Sequence, residues 1–186
     1  MRVATWNVQK GLRPNQAPFL EELEPDLVAL QELSKKHGPF AQATLARLGL
    51  HHVVHTLDDE GRGTSGGLAL ASRWPLRRTR PTTMVLPMME RALCAVVESP
   101  ARAINVVTVH VPPGMRKVNG RADASAKVGT FNGLIAHFKR TVGTSQILLG
   151  DFNTPEDEFS DGRLAFFGDK RRLFGDKRQH EVEEEF

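Results

Sequence analysis

A chain of 186 residues, 40% hydrophobic and 25% charged, has the length and composition of one soluble domain with a sizeable core. No apolar run approaches the roughly 20 residues that span a bilayer, and "MRVATWNVQKG" lacks the apolar stretch of a leader, so the expectation is a cytoplasmic protein without a membrane span. The net charge of +3 hides an asymmetry: from Gly61 to Arg91 there are six arginines (Arg62, Arg73, Arg77, Arg78, Arg80, Arg91) against Glu90 alone, whereas from Asp151 to Phe186 eleven acids face six bases.

In chain order, "VATWNV" (3–8) reads as a strand and "APFLEELE" (17–24) as a helix ending before Pro25. "DLVALQE" (26–32) reads as a strand and "GPFAQATLARLG" (38–49) as a helix. Five short runs bounded by Gly, Pro or Asp then read as strands: "HHVVHTL" (51–57), "GGLALAS" (66–72), "TTMVLP" (82–87), "LCAVVE" (93–98) and "INVVTVHV" (104–111). Cys94 lies in one of them, can form no intramolecular disulfide and reads as a buried small hydrophobe. "RADASAKVGTFNGLIAHFKR" (121–140) carries Val128, Phe131, Leu134, Ile135 and Phe138 near helical spacing, and "QILLGD" (146–151) closes the series as a strand.

Alternating strands and helices around a β-rich middle predict an α/β fold of two mixed sheets packed face to face with helices outside, in one domain over 1–186. "LVAL" and "ILL", apolar on both faces, are expected to be covered on both sides. His51, His52 and His55 are assigned structural or surface roles. FGDKR at 167–171 recurs at 174–178, and Leu164, Phe167, Leu173 and Phe174 suit a short amphipathic helix interrupted by Gly.

Polar residues stand at or beside the ends of the expected strands: Asn7, Glu32, His110, and Asp151 with Asn153. Strand ends converge on one edge of a packed sheet, so these residues are candidates for one site. Carboxylates and carboxamides are hard oxygen ligands suited to Mg²⁺ or Mn²⁺, and no Cys–His set for zinc is present. Each position alone reads more readily as a cap or turn residue. The pattern lies in the ordered set.

"TWNVQ" (5–9), "LVALQE" (27–32), "SGGLALASRWP" (65–75), "VHVPPG" (109–114) and "LLGDFNTP" (148–155) resemble, in order, the motifs of the endonuclease/exonuclease/phosphatase superfamily. This group includes deoxyribonuclease I and neutral sphingomyelinases. The resemblance implies a four-layer α/β sandwich and metal-dependent phosphoester hydrolysis. It makes Glu32 the main metal carboxylate and Asn7 a metal ligand or orienting group. It makes Asp151 the group that orients or activates water, within reach of the metal, and Asn153 a holder of a phosphate oxygen or the metal. His110 would donate to the phosphate or leaving group. Arg91 resembles a phosphate-contacting arginine, with pairing to Glu90 as the plainer alternative.

The family's final Ser-Asp-His motif has no match in residues 156–186, which are expected to be a divergent or truncated C-terminal part. "EFSDGR" (158–163) has no His after its Ser and Asp, and the charged neighbours of His180 suit an exposed helix end. A sandwich without its last strands would leave an apolar edge, for which self-association is one cover. Three functions follow: a nuclease-like phosphodiesterase acting on nucleic acid, a phospholipid or phosphomonoester hydrolase, and a catalytically impaired binding module. The basic Gly61–Arg91 segment, and Arg116, Lys117 and Arg121 after the "VHVPPG" turn, favour the first.

Overall fold

The computed structural model describes residues 1–59, 66–112, 116–118, 121–123, 125–153, 157–158 and 164–165. Two compact units are present: Met1–Pro112 with Ser125–Phe152, and Pro113–Ala124 with Asn153–Phe186.

The first unit runs β1 (Val3–Lys10), α1 (Ala17–Leu23), β2 (Leu27–Leu33), α2 (Gly38–Arg47), β3 (His52–His55), β4 (Gly67–Ser72), β5 (Leu76–Thr79), β6 (Ala92–Glu98) and β7 (Ala103–His110). In the second unit, β8 (Arg116–Val118) pairs antiparallel with β9 (Arg121–Asp123). The first unit resumes with α3 (Ser125–Arg140) and β10 (Gln146–Asp151), and the second with the antiparallel pair β11 (Asp157–Glu158) and β12 (Leu164–Ala165).

Within the first unit the strands form two four-stranded sheets, ordered β1-β2-β4-β3 and β10-β7-β6-β5. Each has one parallel pair, β1 with β2 and β7 with β10, and two antiparallel pairs. A parallel neighbour needs a crossover, and α1 and α3 lie in those connections. Both edges formed by a parallel pair therefore present strand C-termini at the same end.

Strand alternation builds the layers. In β2, Val28 and Leu30 face α1 and α2 through Leu20, Ala41 and Leu45, while Leu27 and Ala29 face the other sheet through Leu93, Ala95 and Val106. In β7, Val106 points between the sheets and Val107 and Val109 point toward Leu134 of α3. The expected four-layer order, helix, sheet, sheet, helix, results. At about 1.5–3 kcal/mol per fully buried aliphatic side chain, these three apolar layers outweigh any one polar contact in holding the sheets. β2 is covered on both faces, as its composition predicts; Ile147, Leu148 and Leu149 of β10, at a sheet edge, are only half-buried.

Three expectations are corrected. "TTMVLP" is no strand: Pro81 and Pro87 bracket it, and Met84 and Leu86 reach the core from an irregular segment that crosses α3. The strand in this region is Leu76–Thr79, with Arg77 and Arg78 paired to Val96 and Ala95. The helix expected from Arg121 begins at Ser125, because Arg121–Asp123 forms β9. Leu164–Ala165 is strand rather than helix, and both FGDKR copies and His180 lie outside the described residues. Among the described residues, no helix is long and apolar enough to cross a membrane.

Candidate active site

Asn7 and Glu32 leave adjacent parallel strands where both ladders break. The β1–β2 register runs regularly to Asn7 opposite Gln31 and then shifts before Lys10, and the β2–β4 register shifts between Leu30 and Leu33. Left-handed φ values at Gln9 (47°), Lys10 (85°) and Glu32 (58°) accompany the breaks. Such bulges turn a side chain out of the pleat, and strain in a residue with a side chain is characteristic of functional sites. Gly66, itself at φ 71°, backs directly onto Glu32: a Cβ there would lie 2.7 Å from Glu32 Cα.

The second half of the site comes from the other sheet. Asp151 pairs with His110 at the end of the parallel β7–β10 ladder. Gly150 lets the two strands close up, since a Cβ on it would lie 2.1 Å from Val109 O.

Across the two sheets the side chains meet. The Asn7 carboxamide donates through Nδ2 to Glu32 Oε1 (2.9 Å) and to Asp151 Oδ2 (2.7 Å), while its Oδ1 accepts from the Gln9 N–H (3.0 Å). His110 Nε2 lies 3.5 Å from Glu32 Oε1 and 3.8 Å from Asp151 Oδ2. One ligand atom from each of Glu32, His110 and Asp151 falls within a 4.8 Å cluster. Four of the sequence-predicted residues thus converge.

Burial, with the neighbouring Arg91 adding to it, holds the His110 imidazole below its ordinary pKa, against the opposing pull of Asp151 and Glu32. The neutral ring keeps one N–H for hydrogen bonding. Arg91 ends a short 3₁₀ turn, Met89–Arg91, directly before β6. Its buried Nε and Nη1 meet no acceptor among the described residues. A buried guanidinium with orphaned donors is matched to an anionic oxygen.

Asn153 belongs to the second unit, with a left-handed φ of 48°. Arg116, Lys117 and Arg121 lie on β8 and β9 of that unit. His51 and His52 are exposed, and His55 Nδ1 lies 4.0 Å from Asp58 Oδ2, beyond hydrogen-bond range.

Sequence reasoning missed two residues. Gln31, 1% exposed, donates through Nε2 to Thr5 Oγ1 (3.1 Å) and Thr108 Oγ1 (3.2 Å), joining β1, β2 and β7 beneath the site. A polar residue inside the apolar "LVALQEL" was its signal. Lys127, near the start of α3, is half-buried and attracted by Asp151, which opposes the lowering of its pKa by burial. Its signal was position, since it stands on the Phe131, Leu134, Phe138 stripe at i, i+4, i+7 and i+11.

The donor set fits a divalent cation: the carboxylates of Glu32 and Asp151 supply hard oxygen ligands, and their joined negative charge favours a cation there.

Comparison with known proteins gives the same outline. The model of the family described as "Endonuclease/Exonuclease/phosphatase family" matches residues 4–171. Among solved structures, an AP endonuclease from Archaeoglobus fulgidus is 25% identical with a TM-score of 0.61, covering 94% of this chain and 68% of that one. A 3'-5' exonuclease from Neisseria meningitidis is 24% identical with a TM-score of 0.54, covering 83% and 59%. ANGEL2, a 2',3'-cyclic phosphatase, is 18% identical with a TM-score of 0.53, covering 78% of this chain and 44% of its own. The last two likenesses concern the fold, and the chain spans less than half of the ANGEL2 chain. No curated protein matches.

Proposed function

The chain belongs to the Endonuclease/Exonuclease/phosphatase family, whose members hydrolyse phosphoesters, and on that premise we propose that it is a divalent-metal-dependent phosphodiesterase acting on nucleic acid. The observation that carries the reading is the convergence of Glu32, His110 and Asp151 from the ends of three strands in two sheets.

In this reading Glu32 is the principal holder of Mg²⁺ or Mn²⁺, with Asp151 within reach. The bound cation would polarise the phosphoryl oxygens and steady the leaving oxygen. Asn7 orients both carboxylates, as its two donated hydrogen bonds support. Asp151 orients a water for in-line attack and accepts its proton as the new P–O bond forms and the bond to the leaving oxygen breaks. His110 donates a hydrogen bond from its neutral ring to a phosphate oxygen, and Arg91 offers its unpaired donors to another. Asn153 is proposed as a further phosphate-oxygen holder on the strength of the motif alone.

Nucleic acid is the proposed substrate because Arg73, Arg77 and Arg80 are exposed on the basic segment that leads to Arg91. Such charges draw a polyanion and release its counterions. Two of the structures named above are nucleases by their names, an AP endonuclease and a 3'-5' exonuclease, which supports this reading. The test is Mg²⁺-dependent cleavage of end-labelled DNA beside Asp151→Ala. Cleavage by the parent chain and its loss in the variant are expected; equal cleavage by both contradicts the assignment.

A further inference from the structure

A pocket of about 660 Å³ lies within the first unit, lined by Asp59, Arg78, Arg80, Met84, Met89 and Leu93 among others. Its place relative to the site follows from the sheet order β10-β7-β6-β5. Asp151 ends β10 and His110 ends β7; Arg91 precedes β6, whose Ala92 pairs with Val109; Arg80 follows β5, whose Thr79 pairs with Cys94. The pocket is lined by Glu90 and Ala92, the residues on either side of Arg91, and by Thr79 and Arg80. At about 4.8 Å per strand, it begins about one strand from His110 and ends about two strands away. That is the reach of a group attached directly to a phosphate held at His110 and Arg91.

The wall chemistry narrows the occupant. Asp59 and Glu90 balance Arg78 and Arg80, so the pocket offers no net attraction to a second phosphate. Arg78 is already engaged: Nη1 donates to Asp59 Oδ1 (2.9 Å) and to His55 O (3.0 Å), and Nη2 to Asp59 Oδ2. A guanidinium pinned by its edge keeps its flat face for stacking on a ring. Met84, Met89 and Leu93 complete a pliable apolar wall, and the volume is that of a small-molecule site. The far wall is held in place by α3, because Gly133 sits where a Cβ would lie 2.3 Å from Val85 O in the segment carrying Met84.

We propose that this pocket takes the planar base of the nucleoside whose phosphate occupies the Glu32–His110–Asp151 site, so that the enzyme grips one nucleotide by its base. The assignment rests on the phosphodiesterase reading for the placement of the phosphate. It favours a base over an acyl chain because the walls pair a stacking cation with a short apolar surface.

The test is calorimetric titration in Mg²⁺ with adenosine 5'-monophosphate, ribose 5-phosphate and a short-chain phosphocholine lipid. The parent chain is compared with the double variant Arg78→Ala, Met89→Ala, which removes the stacking guanidinium and one apolar wall, and with Met89→Ala alone, the fold of each being checked by circular dichroism. Adenosine monophosphate is expected to bind about tenfold more tightly than ribose 5-phosphate, the scale of one stacked base, and the double variant to lose that advantage while keeping its affinity for ribose 5-phosphate. Equal affinity of the parent chain for the two phosphates, an advantage that survives in the double variant, or tighter binding of the lipid overturns the proposal. Hydrolysis of bis(p-nitrophenyl) phosphate, which needs no base pocket, judges the phosphodiesterase reading separately. A base preference without that hydrolysis sustains the pocket and removes the reading it was built on.

Discussion

Gly66 and Glu32 are fitted back to back: a Cβ at position 66 would lie 2.7 Å from Glu32 Cα and 2.8 Å from its carbonyl carbon, and both residues have left-handed φ. The glycine makes room for the strained turn that aims the Glu32 carboxylate. Gly66→Ala adds a left-handed Ala, costing about 1–2 kcal/mol, and pushes Glu32 off its position. A displacement of that kind lowers turnover by on the order of 10²-fold. Steady-state kinetics beside a thermal melt check this, and unimpaired turnover in a destabilised variant counts against the pairing.

Gln31 ties the floor of the site together through Thr5 and Thr108, the latter fully buried. Gln31→Leu removes both donated bonds and leaves a buried hydroxyl short of its partner, at about 1–3 kcal/mol. Urea unfolding at neutral pH measures it. An unchanged midpoint would show that the apolar contacts of Leu take over the role.

His137 gives the stability a pH dependence. It is 5% exposed, its Nδ1 lies 2.9 Å from Thr83 Oγ1, and burial lowers its pKa below the ordinary 6.5. The unfolded chain therefore binds the proton more readily, so this contribution is intact above about pH 7 and is lost as pH falls through 6.5 toward the folded value, by at most about 1.4 kcal/mol per pH unit. His110 is shifted in the same direction, so His137→Asn isolates the effect. Urea midpoints at neutral pH and at pH near 5.5 are expected to differ less in the variant than in the parent.

Burial pushes the Cys94 thiol up to about 11, against a small opposing effect of Arg78. The native thiol is then almost wholly protonated near pH 8 and shielded as well. Iodoacetamide followed by mass spectrometry should label the unfolded chain quickly and the native chain at least about tenfold more slowly. Comparable rates would place Cys94 at the surface.

Much of this was legible in the sequence, and the exceptions have physical causes. Asn7, Glu32, His110 and Asp151 sit at ends of apolar runs, and parallel pairing brings such ends to one edge. "TTMVLP" misled because Met84 and Leu86 are buried on either side of an exposed Val85, the alternation of a strand, while Pro81 and Pro87 deny it a ladder and α3 supplies its support. β5 was hidden for the opposite reason, since "LRRT" carries its charges on an edge strand whose Arg78 pairs with Asp59 across the chain. Gln31 and Lys127 owe their roles to tertiary neighbours, Thr108 and Asp151, that no local pattern announces. Asn153, read beside Asp151 in one motif, falls in a different compact unit.

The most direct measurement is metal-dependent turnover of the parent chain and of Glu32→Gln, each across a Mg²⁺ titration with circular dichroism recorded on the same samples. The account predicts that the variant keeps its fold and loses metal-dependent activity at every Mg²⁺ concentration, because an amide replaces the carboxylate that holds the cation. Unchanged turnover at saturating Mg²⁺ would contradict the central role given to Glu32 and the site built around it.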